Sequence, residues 1–146
     1  MKKKVICIDF DGCIAQYVGD NAKDGEYGDV VPGASNATKV LKEEGYTIII
    51  FTCRKDSKSL RKYLEDNEIS YDYINENPDQ PDGTNKGKPM ADLYVDDRAV
   101  RFNGEWKWTL HDVANFKPAA AKNERDEMKR VFDDYRKYSK EAQSLG

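Results

Sequence analysis

The stretch Lys4 to Phe10, KVICIDF, decides the fold. It is short, rich in β-branched residues and runs into an acid, so it reads as a central strand whose carboxyl end carries a polar group. A second run, Tyr46 to Thr52 (YTIIIFT), is continuously apolar, as a strand covered on both faces must be. Between them Pro32-Gly33 precedes a helical segment, roughly Ala34 to Glu44, with Ala37, Val40 and Leu41 on one face and Gly45 to end it. That is a βαβ unit. Asp56 or Ser57 caps a second helix with Leu60, Tyr63 and Leu64 as its inward stripe, and Asn67 breaks it. Ser70 to Ile74 then reads as a third strand. Asn75 to Pro89 holds three of the five prolines, so it is a loop, delivering the chain to a fourth strand, Asp92 to Val95, which again ends in acid at Asp96-Asp97. This alternation predicts an α/β protein with a parallel sheet.

Downstream, Asn103-Gly104 between Val100-Phe102 and Glu105-Trp108 reads as a hairpin turn. A strand there would put Trp106 and Trp108 on one face, as core or subunit contact. Thr109 with Asp112 resembles the cap of a short helix to about Phe116, with His111 on its surface. A long helix over 119–145 follows, with Met128, Val131, Phe132 and Tyr135 on one stripe, and its length admits a homodimer.

The chain has 146 residues, 38% of them apolar and 35% charged, which suits one globular domain with a single core over residues 4–118. A net charge of −3 disfavours general nucleic-acid binding. The apolar run after the basic start spans only Val5 to Ile8, too short for a signal segment or a membrane span, and the protein is placed in the cytoplasm. Cys7, Cys13 and Cys53 are odd in number and lack metal-like spacing, so they read as small buried apolar residues.

In an open α/β sheet the ligand crevice lies beyond the carboxyl ends of the strands. There the chain brings Asp9-Phe10-Asp11-Gly12, Thr52-Cys53-Arg54 and Asp96-Asp97-Arg98. So many carboxylates repel one another unless a cation sits among them, and oxygen donors favour a hard ion such as Mg²⁺. Lys86 and Lys88 add positive charge to the same edge. An Asp, Mg²⁺ and a Lys together hold a phosphoryl group. Asp9 is then a nucleophile toward phosphorus, and Asp11, past a turn that Gly12 permits, is the general acid and base. Thr52 supplies a hydroxyl and Asp96 holds the metal. Arg54 and Arg98 either contact phosphate or balance the carboxylates.

In order and in placement, Asp9-Phe10-Asp11-Gly12-Cys13, Thr52 at a strand end, Lys88 and Asp96-Asp97 resemble the four motifs of haloacid dehalogenase-like (HAD) phosphatases. The resemblance covers roughly Val5 to Phe102, and with it the expected fold is a three-layer, Rossmann-like parallel sheet of order 3-2-1-4 with flanking helices, the whole chain, residues 1–146, being read as one such domain. It implies Asp9 as nucleophile and metal ligand, Asp11 as acid/base with its carbonyl on the metal, Thr52 on the phosphate, Lys88 steadying both, and Asp96 on Mg²⁺ with Asp97 helping through water. Lys-Pro ahead of the Asp-Asp strand favours Lys88 over Lys86. Asp two residues after the nucleophile points to phosphatases rather than dehalogenases. The short connections Cys13 to Pro32 and Asn75 to Lys88 resemble the capless branch, with Gln16 to Asp29 as a flap beside the site. An open site suits a bulky substrate: a nucleotide or nucleic-acid end, a phosphosugar or a phosphoprotein. Two competing readings are a receiver-like signalling domain and a catalytically silent scaffold.

Overall fold

The computed structural model describes residues 3–118. The long helix expected over 119–145 lies outside the described residues. Contacts divide the chain into two units, Met1–Asp97 and Arg98–Gly146.

The first unit is built on a four-stranded parallel sheet of order β3-β2-β1-β4, with β1 Val5–Ile8, β2 Thr47–Ile50, β3 Tyr73–Ile74 and β4 Leu93–Val95. The expected strand order is therefore found, with a shorter third strand. Register sets Val5 beside Thr47, Ile6 beside Ile48 and Leu93, and Ile49 beside Tyr73. Side chains alternate across a strand. Ile6, Ile8, Ile48, Ile50 and Ile74 accordingly share one face and join the main core, while Cys7 and Ile49 are buried on the other. β2 is buried on both faces, as its unbroken apolar run requires. Edge strand β4 leaves Leu93, Tyr94 and Val95 exposed.

Helix α1, Ala34–Glu43, turns a different stripe inward from the one its apolar residues suggest. Ala34 and Thr38 are buried and Leu41 packs on the core, while Val40 and Ala37 face solvent. A buried threonine is tolerated because its hydroxyl donates to Ala34 O (2.9 Å) and accepts from Ser70 N (3.1 Å). Helix α2, Lys58–Asp66, is capped by Ser57, whose Oγ accepts from Leu60 N at 3.1 Å. Leu60 and Leu64 are fully buried against the sheet residues of the core. Leu64→Ala is expected to lower unfolding stability by about 2–5 kcal/mol, read as a drop in denaturant midpoint at unchanged slope.

In the second unit helix α3, Trp106–Ala114, replaces the expected hairpin. Asn103-Gly104 makes an entry turn, with Gly104 at φ 102, and does not reverse the chain between strands. The N-cap is Glu105, not Thr109. Thr109 sits one turn in and returns its hydroxyl to Glu105 O at 3.3 Å. On a helix Trp106 and Trp108 stand about 200° apart and share no face. Alternation over three residues is too short to separate a strand from a helix start. His111 is exposed, as expected. No described helix is long and apolar enough to cross a membrane.

Candidate active site

Every strand of the sheet delivers a polar group at its carboxyl end: Asp9 after β1, Thr52 just beyond β2, Asn75 after β3 and Asp96-Asp97 after β4. The ladder runs on into the site, because Asp9 N donates to Val95 O at 2.9 Å. Past Asp9 the chain coils tightly: Ile14 N and Ala15 N both donate to Phe10 O, at 2.9 and 3.0 Å, and Gly12 N donates to Ala15 O at 2.8 Å. This coil carries Cys13 back to the strand end. Single donor atoms of Asp9, Cys13 and Asp97 lie within 4.8 Å of one another.

Asp9 is the most perturbed carboxyl group there. Burial first, then the charges of Asp96 and Asp97, push it from 3.8 up to about 7, against a hydrogen bond from Phe10 N to its Oδ1 (2.9 Å). The Cys13 thiol is driven up to about 12 by burial and by the charges of Asp9 and Asp97, so it is a neutral thiol at physiological pH. Asp97 Oδ1 is buried without a hydrogen-bond partner. An orphaned carboxylate oxygen beside a second strained carboxyl group is costly unless positive charge completes it. The group offers two carboxylates and a thiol to one point, a donor set that fits a cation.

Gly12 is what lets Asp97 approach. It has φ +94, and a Cβ there would lie 2.4 Å from Asp97 Oδ2. Gly12→Ala is expected to cost about 1–2 kcal/mol from the left-handed backbone alone. It should also drive the Asp97 carboxyl away from Asp9, read as a lower melting temperature together with weaker divalent-cation binding.

Asp11 faces elsewhere. Its carboxylate is gripped by Arg54, Nε to Oδ2 at 2.8 Å and Nη2 to Oδ1 at 2.9 Å, in a fork that is largely shielded from solvent. Of the two readings open for Arg54, the structure favours charge balance. Arg98 belongs to the second unit. Thr52 is buried, and its backbone N–H donates to Asn75 Oδ1 at 2.7 Å while its hydroxyl accepts from Arg54 N at 3.1 Å. Lys86 is spent on the loop, donating to Gln80 O at 2.7 Å and Pro81 O at 3.3 Å. The Lys88 ammonium stands over the Tyr94 ring, 5.5 Å from its centroid, and pairs with none of the site carboxylates among the described residues. Asp9 and Asp97 are thus brought together with Cys13, while Asp96 is exposed, stands outside that group and acts on Asp9 through its charge. Thr52 lies at the neighbouring strand end, and Asp11 and Lys88 point to other partners.

Two participants escape a reading of the sequence. Cys13 enters the cluster although spacing gave it no metal-binding pattern. Cys7 is buried as expected, but Cys13 is half-buried and Cys53 exposed, which corrects the reading of all three as buried. Asn75 adopts φ 59 and bridges the loop after β2, accepting from Thr52 N and donating to Arg54 O at 2.9 Å. Asparagine at the end of a strand is the one available signal, since it tolerates this backbone region.

Neither a protein-family model nor a curated protein sequence matches the chain. The structure of a conserved protein from Bacteroides thetaiotaomicron is similar, with TM-score 0.55 and 22% identity over 80% of this chain and 93% of that one. At that identity the likeness shows the fold alone. A chain of the Pnkp1/Rnl/Hen1 complex aligns at TM-score 0.47 and 24% identity, over 66% of this chain and 39% of its own. The chain is an α/β protein with a parallel sheet and an acidic strand-end cluster able to hold a metal ion.

Proposed function

We propose that the protein is a Mg²⁺-dependent phosphomonoester hydrolase of the HAD type, acting through an aspartyl-phosphate. The observation that carries this reading is the Asp9–Asp97 pair, held within 4.8 Å at adjacent strand ends with the charge of Asp96 acting on it. Asp9 and Asp96, with the Asp11 carbonyl, would hold Mg²⁺, and Asp97 would assist. When bound, the ion neutralises the charge on the carboxylates and on the phosphoryl oxygens.

The chain's own groups account for the rest. Asp9 attacks phosphorus as the bond to the ester oxygen breaks, and Asp11 gives that oxygen a proton. Water then attacks the same phosphorus, the bond to Asp9 breaks, Asp11 takes the water's proton, and inorganic phosphate leaves. Thr52 and Lys88 steady the phosphoryl group.

A receiver-like domain would accept phosphate on an acid after the third strand. Here that position is Asn75, and its side-chain amide is already engaged by Thr52 and Arg54. A silent scaffold would have lost a motif residue, and none is missing. We further propose one capless, three-layer domain over residues 1–146 that works in the cytoplasm, alone or as a homodimer. It would accept nucleotides, nucleic-acid ends, phosphosugars or phosphoproteins.

The test is a panel of these phosphoesters read as released phosphate, with Mg²⁺ and with a chelator. Continuous release that stops with chelation is expected. A single stoichiometric loading, or no release from any ester, contradicts the proposal.

A further inference from the structure

We infer that Arg54 is a positioning residue that couples the flap, residues 16–29, to the placement of the Asp11 carboxyl group. This rests on Asp11 being the acid/base of the proposed reaction.

The guanidinium faces two ways. One side makes the fork to Asp11, and the other donates from Nη2 to Glu26 O at 2.9 Å and from Nη1 to Lys23 O at 3.3 Å. Its flat face lies on the Tyr27 ring, 4.7 Å from the centroid, with Phe10 at 5.6 Å. Its backbone is fixed as well, through Thr52 Oγ1 and Asn75 Nδ2. The arginine is therefore a rigid connector. Lysine could not replace it, because one ammonium cannot present donors to a carboxylate and to two carbonyls in a single plane.

The flap reaches Arg54 through the segment that also docks on α2. Tyr27 donates to Ser59 Oγ at 2.9 Å, Tyr63 donates to Gly28 O at 2.7 Å, and Phe10, Tyr27 and Tyr63 stack edge to face. At its base, Gln16 N donates to Asp29 O at 2.7 Å. A docked flap thus supplies two of the acceptors and one of the rings that hold the guanidinium in the plane where it grips Asp11. Without them the fork loses its orientation, and the carboxyl group is free to swing toward a leaving oxygen.

Coupling of this kind is reciprocal: if the flap favours the fork, the fork favours the docked flap by the same factor. Among the described residues the Asp11 carboxylate has hydrogen bonds from Arg54 and from no flap residue. Its removal can therefore reach the flap through the arginine.

The experiment is amide hydrogen exchange on the full chain, comparing wild type, Asp11→Ala and Arg54→Gln. The reporters are the Gln16 and Glu26 amides, which are bonded within the flap. Both variants are expected to speed exchange there by about 5-fold or more, while Ile48 to Ile50 keep their protection. Faster flap exchange in Arg54→Gln with Asp11→Ala unchanged would overturn the coupling, leaving Arg54 as a support for the flap alone. So would a rise at every amide, which reports general loosening. Exchange needs no turnover. If the coupling is seen while wild type hydrolyses no ester of the panel, the proposed function fails and the coupling stands.

Discussion

Asp9→Asn is expected to reduce phosphate release by at least about 10⁴-fold while leaving the fold intact. The amide keeps the shape of the carboxyl group and has no oxygen able to attack phosphorus, so both half-reactions lose their covalent intermediate. The same change carries a second, opposite signature. In the metal-free protein, burial and the charges of Asp96 and Asp97 oppose ionisation of Asp9, raising it to about 7 from an ordinary value near 3.8. An acid raised in this way binds its proton more tightly folded than unfolded. Its contribution to stability is complete below about pH 4 and is lost as pH climbs to about 7. Asparagine has no proton to lose. Metal-free Asp9→Asn should therefore melt higher than wild type at pH 8, with the difference shrinking toward pH 4, as followed by calorimetry. An inactive variant that melts lower at pH 8 would show that Asp9 is not under this charge strain.

Asp11→Asn is expected to slow turnover by about 10²- to 10⁴-fold, the range for a lost general acid and base. The loss should depend on the leaving group. With 4-nitrophenyl phosphate, whose leaving oxygen needs little protonation, formation of the intermediate suffers least. With an alkyl phosphate the bond to the ester oxygen breaks only as a proton arrives, and the variant should be slowest. Equal losses on both esters would remove Asp11 from the acid role. The docked arrangement, in which Arg54 holds both carboxylate oxygens, makes this test pointed, because a carboxyl group engaged in that fork has to turn away from the guanidinium to give a proton to a substrate.

The fold is legible in the sequence wherever hydrophobic runs are long and unambiguous. The apolar run Tyr46 to Thr52 reads as a strand covered on both faces and contains β2, and Leu60, Tyr63 and Leu64 have one helical face to share. Legibility fails where tertiary context chooses between equal patterns. The stripe of α1 is decided by Ser70 finding Thr38, a partner 32 residues away that local periodicity does not contain. Trp106 and Trp108 alternate like a strand, yet among the described residues no second strand closes on them and the segment winds into a helix. The acidic strand ends could be read directly, because parallel topology sends them to one edge. The geometry around them could not. Cys13 reaches the cluster through a five-residue coil, Asn75 acts through a left-handed backbone, and the fork from Arg54 to Asp11 joins residues 43 apart.

We propose that the carboxyl groups of Asp9, Asp96 and Asp97 form one divalent-cation site. Titrating the metal-free protein with Mn²⁺ and counting bound ions by electron paramagnetic resonance tests it most directly. One ion per chain is predicted, displaced by Mg²⁺, bound more tightly as pH rises through about 7, and lost in Asp9→Asn and Asp96→Asn. Undiminished binding in both variants, or none in wild type, would contradict the claim.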